Sequence, residues 1–375
     1  MVRLRGRGRA GRRRGVAVAV AGTLLVAACG AGGSDADGTP SAAQAVPDIE
    51  CVASGKVRGS GSSAQQNAMK RWIQDYQRAC AGVEVAYNPL GSGAGVAQFQ
   101  RGATAFGGTD EALSRRDVEE SKGVCDGGRA IDLPMTGGPI AIGHNVPGVS
   151  GLVLDAPTLA RLFDARITRW NHPSIQRLNP GATLPDLPVV PVHRADDSGT
   201  TQNLTAYLKA AARTSWPYPA GKKWQARGGQ SGTGSDGVAG TVAQTEGAIG
   251  YFELSFAVKR GIDTVRIATG ASEPVAPSTR SASAGIAEAE VAGEGGDLAL
   301  NLDYRTSAEG AYPIVLVTYE IVCDRGNDPE TLPALKSFLS YTAGEDGQRL
   351  LPSIHHAPLP DSVAAQVREV VSTLS

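Results

Sequence analysis

Three loops in this chain share one arrangement of residue types. They are GSGSSAQ (59–65), LGSGAG (90–95) and RADDSGTT (194–201). Each follows a strand-like run, holds glycine together with serine or threonine, and opens a helix-like run. A helix start offers free backbone N–H groups and a partial positive charge, so it favours an anion. The hydroxyls add donors, and glycine lets backbone come close to a ligand. Arg194 strengthens the third loop, because a guanidinium grips an oxyanion through two parallel bonds. Asp196, two residues on, is placed to orient it. Serine and threonine are also common helix caps, and a surface Arg–Asp pair contributes little. On residue types alone, a helix cap, a catalytic loop and an anion socket therefore compete.

Other chemistry finds little support. GTGSDG (232–237) has the GxGxxG spacing, but no strand is evident before it, so it reads as a turn before a helix rather than a dinucleotide loop. The chain has no GxSxG elbow, no Walker A motif and no HExxH. His355 and His356 are adjacent and the other histidines are scattered, which points to no metal cluster and no cofactor. Trp72, Trp170, Trp216 and Trp224 read as core or lobe-surface residues.

The elements that would carry these loops alternate. CVASGKVRGSG reads as a strand, AQQNAMKRWIQDYQRAC as a helix with Ala68, Met69, Trp72, Ile73 and Tyr76 on one face, GVEVAYN as a strand, SGAGVAQFQRG as a short helix and ATAFGGT as a strand. That order predicts an α/β layer with a partly parallel sheet. AIDLPMTGGPIAIGHNV reads as a long buried strand bent at Gly137–Gly138. DAPTLARLFDARITRW reads as one helix, capped by Asp155 with Pro157 in its first turn. Strand, loop and helix follow across 187–214, and helix then strand across 232–254. YPIVLVTYEIVC is a strand, and PETLPALKSFLSYTAGEDGQRLL and PDSVAAQVREVVSTL are helices. The weak periodicity of 272–297 predicts no element.

With 375 residues the chain is long for one core, and two domains or lobes are expected. Residues 1–28 are a basic segment followed by an apolar run of signal-peptide length. Cys29 follows Val26-Ala27-Ala28 and precedes Gly30, which resembles a bacterial lipobox, so Cys29 is expected to be lipidated. Residues 29–48 are rich in Gly, Ser, Ala, Asp and Pro and read as a flexible tether. Seven of the 36 basic residues lie before Cys29, leaving 29 against 37 acidic ones, a formal −8 that argues against nucleic acid. Four further cysteines in an exported chain predict disulfides, with three pairings open. Cys51–Cys80, linking the first strand to the end of the first helix, is favoured, leaving Cys125–Cys323.

At the three loops the sequence resembles the phosphate-binding protein of the bacterial high-affinity phosphate ABC importer. The likeness also takes in FGGTDEALS, LPMTGGPIAIGHNVPG, RITRWNHPSIQRLNPGATLP, GSDGVAGTVAQTEGAIGYFEL and PLPDSVAAQVRE, in order over about 50–370. It implies a two-lobe α/β periplasmic-binding-protein fold of type II with a hinge and a ligand cleft. Lobe 1 would hold 49–136 and 318–375, lobe 2 would hold 137–317, and the hinge would lie near 134–138 and 316–320. It also implies a phosphate site. Ser63 would donate its hydroxyl and Ala64 its N–H, Ser92 would donate from the second loop, Asp110 would face the ligand, and Arg194 would pair with its charge. Ser198, Gly199 and Thr200 would close the ring. Many members have an aromatic residue where this chain has Ala64.

The implied function is capture of inorganic phosphate at the outer face of the cytoplasmic membrane and delivery to an ABC permease. The protein would be a monomer anchored through Cys29, with no enzymatic step. A phosphatase or a phosphate sensor on the same scaffold is the alternative. Physical logic makes Asp110 the specificity residue. Phosphate near neutral pH still carries a proton that a carboxylate accepts; sulfate has none to give.

Overall fold

A computed structural model describes residues 49–287 and 289–375. The signal segment, Cys29 and the tether lie outside the described residues. From its start the chain alternates as the pattern predicts: β1 (Gly55–Gly61), α1 (Gln66–Ala79), β2 (Val83–Asn88), α2 (Ser92–Gln100), β3 (Phe106–Thr109) and α3 (Arg115–Ser121). The long β4 (Ala130–His144) follows, buried along its whole length, then β5 (Val153–Asp155), α4 (Ala156–Phe163), α5 (Pro173–Leu178), β6 (Val190–Arg194) and α6 (Gly199–Ala211). Next come β7 (Gln230–Gly232), α7 (Gly234–Gln244), β8 (Ala248–Glu253), α8 (Leu254–Arg260), β9 (Asp263–Thr264), β10 (Arg266–Ala268) and α9 (Thr279–Ile286). The chain ends with β11 (Glu290–Val291), β12 (Leu300–Asn301), β13 (Val315–Cys323), α10 (Leu332–Thr342), α11 (Glu345–Arg349), a short 3-10 turn and α12 (Asp361–Thr373).

The main sheet runs β2-β1-β3-β13-β4-β8-β6-β7, with β9 on β4. Strands β1, β2 and β3 are mutually parallel, and so are β6, β7 and β8. The antiparallel pair β13 and β4 joins the two sets. Each parallel set needs a helical crossover, which supplies helix starts at the carboxyl ends of its strands. The stretch of β4 from Ala130 to Pro139 pairs with β13, and its last five residues pair with β8. The β4–β13 register shifts where Thr318 faces Thr136 and Tyr319 faces Pro134, so Met135 is unpaired. Such a bulge bends the ladder and re-aims side chains.

Two large apolar clusters flank this junction. One gathers Met69, Trp72, Tyr76, Phe106, Leu335 and Phe338 with Leu133 and Met135 of β4. The other gathers Phe163, Trp170, Trp216, Tyr251 and Tyr312 with Ile140 and Ile142 of the same strand. Trp72, Trp170 and Trp216 are fully buried; Trp72 donates its N–H to Gly347 O at 2.8 Å and Trp170 to Gly247 O at 3.0 Å, whereas the Trp216 N–H has no partner among the described residues. The chain therefore has the two-lobe α/β architecture of a periplasmic-type binding protein.

Several expectations need correction. The helix capped by Asp155, whose side chain accepts from Thr158 N at 2.8 Å, stops at Phe163. Ala165 then takes φ +51°, and a separate helix, α5, starts at Pro173. The stretch read as one helix after Pro329 breaks at Gly344, where a Cβ would stand 2.9 Å from Ser340 O. A strand, β7, does precede GTGSDG; at three residues it is too short for periodicity to reveal. Residues 279–286, unassigned from sequence, form α9, started by a capping box between Ser278 and Ser281.

Both disulfides form in the favoured pairing. Cys51–Cys80 spans 29 residues and Cys125–Cys323 spans 198. The longer loop withdraws more freedom from the unfolded chain, so removing Cys125–Cys323 is expected to lower stability by about 1–2 kcal/mol more than removing Cys51–Cys80. Urea unfolding of the two Cys→Ala double variants checks this order.

Candidate functional site

The loops converge because they all leave carboxyl ends of strands. Ser62 and Ser63 follow β1, Ser92 opens α2 after β2, and Asp110 follows β3. From the other parallel set, Arg194 ends β6, Ser198–Thr200 start α6, and Ser235 lies in the first turn of α7 after β7. Ser62, Ser63, Ser92, Asp110, Arg194, Ser198, Thr200 and Ser235 are all at most 3 % exposed, so each polar group must find its partner inside the protein. Gly199 is required by this crowding: a Cβ there would stand 2.6 Å from both Asp110 Cβ and Ser92 Oγ.

Asp110 is the focus. Ser62 Oγ donates to its Oδ1 at 2.5 Å and Thr318 Oγ1 to the same oxygen at 2.8 Å, while Thr200 Oγ1 reaches Oδ2 at 3.4 Å. Asn203 Nδ2 donates to the Asp110 carbonyl at 2.7 Å. Burial pushes the Asp110 carboxyl above its ordinary value; the bonds from Ser62 and Thr318, the Arg194 charge and the Thr200 bond pull it back down.

Arg194 is held by Asp196. Its Nε donates to Asp196 Oδ1 at 2.9 Å and one terminal nitrogen bonds Oδ2. The other terminal nitrogen has only long contacts, 3.4 Å to Thr200 Oγ1 and 3.5 Å to Ser235 Oγ, and so retains donor capacity inside the site. Burial raises the Asp196 carboxyl, but the Arg194 bonds and charge and the Gly234 N–H, at 2.9 Å, outweigh it and hold it below the ordinary value.

The remaining residues of the expected site fall in the same region with differing bonds. Ser63 Oγ lies 3.3 Å from Ser235 Oγ and accepts from Ser235 N at 2.9 Å. Ser92 Oγ accepts from Asp110 N at 3.2 Å and from Gly199 N at 3.1 Å, leaving its proton to donate. Ser198 caps α6 by accepting from Thr201 N at 3.2 Å. The N–H of Ala64 donates to Ser62 Oγ at 3.1 Å, and its methyl packs in the Phe163–Tyr251 cluster.

Three contributors were not read from sequence. Ser62 is one of three serines in GSGSSAQ, and spacing does not say which one turns inward. Ser235 sits in the GTGSDG segment, whose short leading strand hid the strand–turn–helix pattern. Thr318 left the clearest signal, as a polar residue in the buried run Val315–Cys323. Among the described residues no cluster of three or more His, Cys, Asp or Glu is arranged to hold a metal ion.

Behind the site lie further buried acids. Burial pushes the Glu253 carboxyl up to about 8, against bonds from Ser255, and drives the Glu320 carboxyl well above the ordinary range. His356 Nε2 stands 3.3 Å from Glu253 Oε2, but burial lowers the imidazole to about 3, so near pH 6 both partners are neutral and the contact is not an ion pair.

The comparisons with known proteins bear on family and fold. Residues 38–346 match the family model of a PBP superfamily domain. The phosphate-binding protein PstS 3 of Mycobacterium leprae is 40% identical over 365 residues, covering 96% of this chain and 98% of that one. The chain belongs to the PstS phosphate-binding protein family. PstS 2 of Mycobacterium tuberculosis is likewise 40% identical over 374 residues, covering 97% and 99%. Among solved structures, the high affinity periplasmic phosphate-binding protein PfluDING, solved with phosphate bound, superposes with a TM-score of 0.70 at 21% identity, over 84% of this chain and 93% of that one; it supports the fold.

The Glu253 shift has a stability consequence. An ordinary glutamate ionises near 4.5, whereas the folded carboxyl holds its proton to about 8. Between those values the unfolded chain binds fewer protons than the folded one, so this group lowers stability as pH rises through the window. Glu253→Gln removes that slope. The melting temperature of the variant minus that of the native protein is expected to increase steadily from pH 5 to pH 8, as measured by thermal denaturation.

Proposed function

We propose that this protein captures inorganic phosphate outside the cytoplasm and delivers it to the permease of an ABC-type phosphate importer. Its function is binding, and it is not an enzyme: the relatives it matches are phosphate-binding proteins, and no covalent step is needed. The observation that carries the reading is Asp110, a lone carboxylate acceptor set among hydroxyl and N–H donors and Arg194 in a site shut off from water.

In this reading Ser63, Ser92, Ser198, Thr200 and Ser235 offer hydroxyls to the phosphate oxygens. Ala64 and Gly199 offer backbone N–H groups, which turn to the ligand from their present partners. Arg194 takes one oxygen through its free terminal nitrogen. The helix starts of α6 and α7 add their dipoles. Asp110 accepts the hydrogen of the phosphate.

Lobe 1 comprises 49–136 and 318–375 and lobe 2 comprises 137–317, with hinge bending where β4 and β13 cross. Bonds donated by Ser235 N to Ser63, by Gly199 N to Ser92 and by Asn203 Nδ2 to the Asp110 carbonyl then run from one lobe to the other and represent the closed form. Export, a lipid anchor on Cys29 and a monomeric state complete the reading. They are supported by the basic-apolar leader, the residues around Cys29 and the flexible stretch that follows. No helix among the described residues is long and apolar enough to cross a membrane.

Titration calorimetry of the mature protein is expected to give tight phosphate binding and sulfate binding at least about a hundredfold weaker, since a buried carboxylate facing an unprotonated oxyanion costs at least a few kcal/mol. Asp110→Asn is expected to bring the two ligands within about tenfold of each other. Absence of phosphate binding in the native protein would overturn the function. Equal affinity for both anions would overturn the role of Asp110.

A further inference from the structure

Two hydroxyls that the phosphate reading leaves unused meet on one atom. Ser62 Oγ and Thr318 Oγ1 both donate to Asp110 Oδ1, at 2.5 Å and 2.8 Å, and both residues are fully buried. They arrive from opposite directions in the chain, 48 residues before Asp110 and 208 after it. Each O–H has one proton, and both protons are committed to the same oxygen. Oδ2 is left with the single long contact from Thr200 at 3.4 Å. The carboxylate is therefore loaded on one side. Thr318 reaches it from β13 at the point where the ladder slips past Met135.

Resting on the phosphate reading, we propose that Ser62 and Thr318 are specificity-determining positioning residues: by saturating Oδ1 they fix the rotation of the Asp110 carboxylate and leave Oδ2 as the acceptor for the phosphate proton. Neither residue needs to touch the ligand. Two donors on one oxygen are compatible only with an acceptor there, so they also oppose protonation of the group. Without them, a buried carboxyl reverts towards its neutral form and presents an O–H to the site. An O–H donor suits the bare oxygens of sulfate, and the distinction between the anions is lost.

The other groups facing Asp110 do not replace these hydroxyls. Glu253 on β8, Glu320 on β13 and Tyr87 on β2 act on it or are acted on by its charge; burial raises all three, which favours their neutral forms near pH 7. Arg194 on β6 is the facing cation, and much of its charge is spent on Asp196.

The test uses the mature protein and its variants Ser62→Ala, Thr318→Val, the double variant and Thr318→Ser. Dissociation constants for inorganic phosphate and for sulfate are measured by calorimetry from pH 5 to pH 8.5, and their ratio is plotted against pH. The native ratio is expected to favour phosphate across the neutral range. In the double variant selectivity is expected to collapse at a pH at least about one unit higher, with the single variants between, because opposing hydrogen bonds have been removed from a buried acid. Thr318→Ser, which keeps the hydroxyl, is expected to follow the native curve. Native-like ratio profiles in Ser62→Ala and Thr318→Val, each still binding phosphate, would overturn the proposal, and these single variants decide the matter should the double variant not fold. Native protein that binds no phosphate would instead overturn the reading on which it rests.

Discussion

A carboxylate and a guanidinium sealed from water at the meeting point of five loops set the terms for everything around them. Burying either alone is costly, and burying both repays the cost only if their remaining hydrogen-bonding capacity is met. Asp196 meets most of it for Arg194, and Ser62 and Thr318 meet it for one side of Asp110. With the two aspartates ionised and Arg194 charged, the nearby fixed charges sum to −1, the wrong sign for an anion site. In the proposed site, binding would then depend on oriented dipoles: hydroxyls, backbone N–H groups and helix starts, which cost little reorganisation because the fold has already aimed them.

The fold supplies those dipoles through its strand order. Two parallel sets, β2-β1-β3 and β8-β6-β7, each deliver their carboxyl ends and helix starts to one place, and β4 with β13 carries the chain between them. Tight packing follows from the same convergence. Gly199 leaves no room for a side chain beside Asp110, and Gly91, at φ +98° before α2, would drive a Cβ to 2.3 Å from Asp196 Oδ2. At these glycines the backbone comes close against the charged side chains of the site.

Much of this was legible in the sequence, in an uneven way. The hydroxyl–glycine loops, Arg194 with Asp196, and the long strand through Gly137–Gly138 carry local signals: helix-start chemistry, short spacing, an unbroken apolar run. The element order favoured one of three open disulfide pairings, the one that forms. Ser235 was hidden because its strand has only three residues, and a parallel partner, β6, holds that strand in place rather than any local preference. Thr318 was hidden for a different reason. Its value depends on a slip in register against β4, a property of two strands far apart in the chain. The end of α4 at Phe163 and the break at Gly344 are decided by tertiary packing, which helical periodicity does not report.

The Arg194–Asp196 pair also has a bearing on how cargo leaves. Since that cation is already matched by its own anion, and since Asp196 is tied in turn to the first N–H of α7, ionic strength has little purchase on the grip. On the proposed reading, unloading would be a mechanical event. In the proposed lobe motion, whatever draws α6 and α7 away from the ends of β1 and β2 would sever the Ser63–Ser235 and Ser92–Gly199 clasps together, and the cradle would come apart as a unit instead of weakening bond by bond.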